Sequence, residues 1–205
     1  MPETTTRRDR RRQETRTRLV GAARELFADQ GVDATRINAI TERADVGFGS
    51  FYNHFADKDA IVEAVLTAVT DEQGAAVDAL TADLDDPAEV LAVAHRHFVR
   101  LAIAEPSWGR LVVRLEGSHR VLTTALGARA RRDLRAGIAA GRFAVADAGL
   151  TLNVLGGALL GALLAVLDAP TKRRADELHA ELVLRMVGIP DDEAAAIARR
   201  PMPTA

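Results

Sequence analysis

TRINAITERADVGFGSFYNHFADK, residues Thr35 to Lys58, decides the fold. Ile37, Ile40 and Ala44 fall at i, i+3 and i+7, one apolar face of a short helix. Thr35 stands before it as the expected N-cap, its hydroxyl placed to accept from a free amide of the first turn. Asp45-Val46-Gly47 predicts a tight turn. Asp tolerates the left-handed backbone better than most residues, Val46 plugs the angle between two helices, and Gly47 caps the second. In that second helix, expected over 48–55, Phe51 and Phe55 are four apart and face inward. Phe48, Gly49, Ser50, Asn53 and His54 are left on other faces, with Tyr52 near the edge. Asp57 caps a further helix, and Lys58 lies in its first turn, where a cation opposes the helix dipole. A phosphate close by gives Lys58 a better reason to be there. Two short helices across a tight turn outline a helix-turn-helix, which presents its second helix to the major groove of DNA.

The flanking sequence agrees. Leu19, Ala22, Ala23, Leu26 and Phe27 form an amphipathic stripe at i, i+3, i+4, i+7 and i+8. Gly31 is expected to end that helix in the left-handed conformation, with Val32 folding back on Phe27. The chain's net charge of −2 looks wrong for a DNA binder until its distribution is read. Met1 to Arg24 carries eight arginines against Glu3, Asp9 and Glu14, a local +5, so the remainder carries −7. A basic arm on an acidic body suits phosphate binding at one end. The arm has no apolar h-region and does not read as a secretory leader.

Thr15 to Leu66 resembles the DNA-binding domain of the TetR family of transcriptional regulators. The resemblance is carried by ARELFADQG (Ala23 to Gly31), INAI (Ile37 to Ile40), VGFGSFYNHF (Val46 to Phe55) and DKDAI (Asp57 to Ile61), in the family's order and spacing. Members often have Gly where Asp45 stands and Ser or Thr where Gly47 stands. The resemblance implies an all-helical homodimer with an aromatic-rich recognition helix at Phe48 to Phe55 and a lysine, Lys58, on a phosphate. It also implies a C-terminal domain that binds a small effector and dimerises through its last two long helices. The DNA-contact residues are then Gly47, Phe48, Ser50, Tyr52, Asn53 and His54. Asn53 suits an adenine edge and Tyr52 a phosphate; Phe48 is either a fourth core aromatic or, exposed near the helix start as in the family, a partner for a thymine methyl. Thr35, Arg36 and Lys58 position the DNA backbone.

The rest of the chain predicts helices. At 205 residues, 48% hydrophobic and only 4% aromatic, with Ala and Leu dominant, it has the means for one small and one larger helical domain. The expected divisions are a flexible basic arm (1–14), the helix-turn-helix domain (15–66), an effector and dimerisation domain (67–198) and a frayed tail (199–205). Pro87 suits a first helical turn after the polar break at Thr81 to Pro87. A short helix is expected over Trp108 to Glu116 and a longer one over His119 to Ala140. Leu150 to Leu167 has no charge and approaches the length of a membrane span. It lacks flanking aromatics, and a helix apolar all round is equally at home inside a protein. Ala175, Leu178, Leu182, Met186 and Ile189 form a near-heptad stripe that offers it a partner. Two such helices from each of two chains make a four-helix interface. Its expected residues are Leu152, Leu155, Leu159, Leu163, Leu178, Leu182 and Met186, with Gly157 and Gly161 allowing close approach.

Catalytic chemistry has little support. There is no cysteine, so no disulfide or thiolate site. His95 and His97 are two apart on a helix and diverge by about 200°, so no metal or other cofactor is expected. No paired carboxylates, phosphate loop or nucleophile elbow is present, and an enzyme is not expected. An effector is expected between helices spanning about Pro87 to Ala140, against Phe98, Leu101, Trp108, Leu111, Val112, Leu115, His119 and Leu122. Trp108 serves there as core or as ligand shelf, and His95, Arg110, Arg114 or His119 would orient a polar ligand. The expected protein is a cytoplasmic, nucleoid-associated homodimer, a ligand-responsive repressor that binds double-stranded DNA and an unknown small molecule and no membrane. An architectural DNA binder without an effector, or an activator, is the alternative.

Overall fold

The computed structural model describes residues 6–114, 127–169 and 174–204. Among these every regular element is a helix. The chain divides into two compact units, Met1–Ala68 and Val69–Ala205.

In the first unit, α1 runs from Arg7 to Gln30. Thr6 and Asp9 close a capping box, the Asp9 amide donating to the Thr6 hydroxyl and the Thr6 amide to the Asp9 carboxylate, each at 3.2 Å. The arm expected to be flexible up to residue 14 is therefore helical from Arg7. No glycine or proline interrupts the helix before Gly21. At its end Gly31 adopts φ 85, ψ 167, an extended positive-φ region open essentially to glycine, and not the expected left-handed helical geometry.

Thr35 does not cap α2. That helix, Ile37–Arg43, has Arg36 at its N-cap and no side-chain cap. The Thr35 side chain is buried, donating to the Gly31 carbonyl at 2.7 Å and accepting from Gln30 Nε2 at 3.2 Å, so its hydroxyl holds the α1–α2 loop. Asp45 takes the expected left-handed turn, φ 52, and Gly47 caps α3. α3 is shorter than the expected 48–55 and spans Phe48–Tyr52. The carbonyl of Ser50 accepts from the Asn53 amide, and that of Phe51 accepts from both the His54 and Phe55 amides. This tightening unwinds the last turn. Asp57 then accepts from the Ala60 amide at 2.8 Å and starts α4, Lys58–Thr81. Leu19, Ala23, Phe27, Ile40, Phe51, Ile61 and Val65 have no exposed surface. Each large side chain among them contributes about 1.5–3 kcal/mol by burial.

The second unit is organised around α5, Pro87–Ala104. Asp86 caps it, accepting from the Ala88 amide at 2.9 Å, with Pro87 in the first turn. The other helices are α6 (Pro106–Arg114), α7 (Gly127–Ala139), α8 (Ala148–Asp168), α9 (Ala175–Met186) and α10 (Asp191–Ala198). α5 packs against all of them. α6 begins two residues earlier than expected, because Pro106 suits a first helical turn. The far end of that helix and the start of the one expected from His119 lie outside the described residues. The tail expected to fray is tied back. Buried Arg96 pairs with Asp176 at 3.1 Å and donates to the Arg200 carbonyl at 2.6 Å, while Arg200 pairs with Glu89 at 2.9 Å.

α8 needs the largest correction. Leu152, Leu155, Leu159 and Leu163, expected in a dimer interface, are buried inside the unit; Leu152 and Leu155 join a core with Leu134, Phe143, Ala180, Val183 and Leu184. The opposite face carries Leu150, Val154, Gly157, Gly161 and Leu164 exposed. On α9 the residues expected in the same interface are exposed in the single chain: Leu178 56%, Leu182 57% and Met186 38%. α8 is long and apolar enough to cross a membrane by length and composition.

Candidate nucleic-acid interface and ligand cavity

The first site is built on α3. Phe51 and Phe55 are buried with ring centroids 5.6 Å apart and anchor the helix from below. Phe48 and Tyr52, one turn apart, are 49% and 53% exposed and meet edge to face at 5.6 Å. Gly47 and Asn53 are exposed, and Ser50 and His54 half-buried. The expected contact residues are thus brought together around one short helix. Thr35 is the exception, since its hydroxyl is committed inward. Arg36 is exposed, and Lys58 Nζ donates to the Asp33 carbonyl at 3.3 Å. That bond gives Lys58 a local anchor, and an ammonium has two further donors.

The arginines of α1 join this site, a detail the sequence reading left as a generic arm. Arg12 donates to the Asn53 carbonyl at 3.4 Å, Arg18 to the Asp45 carbonyl at 3.3 Å, and the Arg16 guanidinium lies 5.2 Å from the centre of the Phe55 ring. The signal was present in the i, i+4 spacing of Arg12 and Arg16 on the helix that carries the Leu19 stripe. Burial, then the nearby Arg12 and Arg16 charges, push the His54 pKa below its usual value, favouring a neutral imidazole that both donates and accepts.

The second site is a cavity of about 100 Å³ in the C-terminal unit. Its apolar wall includes Val77, Leu91, Phe98, Leu134, Leu155 and Leu159. Its polar wall is Asp78 on α4, Arg129 and Asp133 on α7, and His95 on α5. Arg129 Nε donates to Asp78 at 2.8 Å, and Arg132 donates to Asp78 at 3.0 Å and to Asp133 at 2.8 Å. Burial alone would raise the Asp78 pKa, but the hydrogen bonds from Arg129 and Arg132 outweigh it and hold the carboxyl below its usual value. Arg129 lies over Gly74, where a Cβ would come within 2.6 Å of Nη1, so a side chain there would displace the guanidinium from its present position.

Of the expected effector residues, Phe98 lines this cavity. Trp108 stacks on Phe98 at 6.1 Å with rings 13° from parallel, from outside the lining, and its Nε1 is buried without a partner among the described residues. Leu111 and Val112 are buried, Leu101 half-buried and Arg110 exposed, and none of these lines it. Leu115, His119, Leu122 and the Arg114 side chain lie outside the described residues. His97 turns away from His95, its Nε2 3.0 Å from Gln73 Oε1. Sequence reading missed Asp78 and Arg129, which are 51 residues apart and meet only in the folded chain.

Comparisons with known proteins bear on both sites. Residues 19–65 match the family described as bacterial regulatory proteins, tetR family, and residues 86–200 match the tetracyclin repressor-like C-terminal domain. The transcriptional regulator UidR of Escherichia coli is 37% identical over 54 residues, which span 26% of this chain and 28% of UidR. The crystal structure of RolR in complex with resorcinol is 40% identical, covers 95% of this chain and 98% of its own, and superposes with a TM-score of 0.83. The structure of RolR without ligand gives a TM-score of 0.79 over 92% of this chain and 98% of its own. With one family description covering more than half of the chain and a relative of this identity spanning nearly all of it, the chain belongs to the TetR family of transcriptional regulators.

Proposed function

We propose that this protein is a homodimeric transcriptional repressor that binds a palindromic operator through α3 and releases it when a small ring-shaped effector enters the cavity. The observation that carries the DNA half is the exposed Phe48–Tyr52 pair on a helix anchored by buried Phe51 and Phe55. Large aromatics held out from a core call for a partner surface, and the arginines of α1 supply the charge that a phosphate backbone requires. Asn53 reads a base edge, Phe48 a thymine methyl and Tyr52 a phosphate, with Gly47, Ser50, His54, Arg36 and Lys58 beside them; Thr35 holds the loop. The exposed faces of α8 and α9 support dimerisation. Leu150, Val154, Leu164, Leu178, Leu182 and Met186 leave apolar surface that a second copy covers. Two heads then meet successive major grooves with centres about 34–36 Å apart, or a multiple of that.

The effector is a single hydroxylated ring. An apolar cavity of about 150 Å³ takes up benzene, so one of about 100 Å³ limits the effector to a molecule no larger than a single ring. Asp78, Asp133 and Arg129 offer acceptors and a donor at its polar wall. The relative RolR is solved with resorcinol. α4 runs unbroken from Lys58, beside the DNA-contact residues, to the cavity residues Gly74, Val77 and Asp78. A ligand coupling of about 1–3 kcal/mol through it lowers DNA affinity roughly 5- to 150-fold.

Selection of bound fragments from random DNA tests this reading, with a palindromic consensus expected and no consensus at low salt as the contrary result. Trp108 is the protein's one tryptophan and stacks on a cavity residue, so its emission reports occupancy. Resorcinol is expected to change that emission and to release the selected DNA. Arg129→Ala should weaken resorcinol binding about 10-fold or more, while DNA affinity without ligand stays within about twofold, because the variant leaves α3 untouched. Lys58→Ala should weaken binding to all DNA sequences alike and flatten the salt slope by about one unit. A loss confined to one sequence would count against the phosphate role.

A further inference from the structure

His95 on α5 and His179 on α9 are 84 residues apart in the chain, yet His95 Nδ1 lies 2.9 Å from His179 Nε2. Both side chains are buried. Burial, and for His95 also the neighbouring ring, pushes both pKa values down, that of His179 to about 4. Two neutral rings share two protons among four nitrogens, and one proton must sit in the contact. Only two registers satisfy this. In one, His95 Nδ1–H donates to His179 and His95 Nε2 is an acceptor. In the other, His179 Nε2–H donates to His95, and His95 Nε2–H is a donor. Switching between them moves the proton on both rings together and keeps the contact intact.

His95 lines the cavity. Its Nε2 has no hydrogen-bond partner among the described residues. Among those residues, the side-chain nitrogen or oxygen that is both sealed off and unpartnered is Trp108 Nε1. With Nδ1 turned to His179, Nε2 is the ring nitrogen that His95, as a lining residue, has left to offer the cavity. It is a lone polar atom there, apart from the Asp78, Arg129 and Asp133 group, whose charges are already paired with one another and with Arg132.

We propose that His95 is the specificity-determining residue of the cavity, meeting a ligand hydroxyl through Nε2, and that His179 is a positioning residue that sets whether Nε2 accepts or donates. The inference rests on the cavity being the effector site. A phenolic hydroxyl donates to Nε2 and selects the register in which both rings carry their proton on Nδ1. A fluorine in place of that hydroxyl fills the same space and offers no proton to Nε2, so it does not select that register. Because His179 sits on α9 beside Leu178, the choice made in the cavity reaches the helix whose exposed face is assigned to the partner copy.

The test uses the full-length protein, with resorcinol and 3-fluorophenol as probes and Trp108 emission as the binding signal. The wild type is expected to prefer resorcinol by about 10-fold, the worth of one buried hydroxyl hydrogen bond that would otherwise go unmade. In His95→Leu the preference should shrink to under about threefold, with resorcinol affinity reduced and 3-fluorophenol affinity nearly unchanged. His179→Gln, whose amide both donates and accepts, should keep most of the preference, and His179→Phe should lose it. Imidazole nitrogen NMR of the wild type gives a reading independent of any variant. Resorcinol should hold both rings in the Nδ1–H tautomer, and 3-fluorophenol should not. The same tautomer with the two probes, or a wild-type preference retained in His95→Leu, overturns the proposal and leaves the cavity reading standing on Arg129→Ala. Failure of both probes to bind the wild type overturns the cavity reading and this inference with it.

Discussion

Replacing Leu178 and Leu182 with glutamate is expected to yield a folded monomer that has lost operator binding by roughly 10²–10⁴-fold, the gain that tethering a second binding head supplies. Both leucines lie on the outer face of α9, more than half exposed in the single chain, so a charge there disturbs no core. In a dimer the same positions lose their water, and two carboxylates on each copy, facing apolar surface without partners, oppose association. Sedimentation would show the loss of the dimer, and circular dichroism the retained helix. Leu155→Glu provides the contrast. Leu155 is 4% exposed within the core of the C-terminal unit, and a charge there should unfold that unit. Should the Leu178/Leu182 variant remain a dimer, the outer faces of α8 and α9 are not the interface.

Phe51→Ala is expected to destabilise the DNA-binding unit by about 3–5 kcal/mol. Its side chain is wholly buried, with ring contacts to Tyr52 at 5.4 Å and Phe55 at 5.6 Å. A unit of this length has only about 3–10 kcal/mol of stability in total. The truncation therefore removes much or all of it. α3 has five residues and no side-chain cap, too little to stay helical without its anchor. DNA binding should fall for every sequence, while Trp108 still reports resorcinol binding in the other unit. Phe48→Ala is the control. It removes a half-exposed ring and should lower DNA affinity with little change in melting temperature. Equal destabilisation by the two substitutions would mean that the inward and outward faces of α3 have been misassigned.

Those faces were legible from sequence because they are a local matter. Phe51 and Phe55 four apart, Asp45 at a left-handed turn and Gly47 as a cap are statements about residues within one or two helical turns. In that range backbone geometry leaves few choices. Thr35 shows the limit of such reasoning. Its hydroxyl had two suitors at similar range, the start of α2 and the end of α1, and the unusual exit at Gly31 decided for the second.

What the amino-acid order determined alone was an all-helical chain headed by a helix-turn-helix, with Phe51 and Phe55 facing inward. Which side of α8 turns inward was left to the tertiary structure. A helix apolar all round has no periodicity to read, and only packing against α5, α6, α7 and α9 selects the Leu152–Leu155–Leu159–Leu163 edge. The cavity chemistry is likewise a product of folding. Asp78 with Arg129 and His95 with His179 are separated by 51 and 84 residues, distances over which side-chain pairing leaves no pattern in a single sequence.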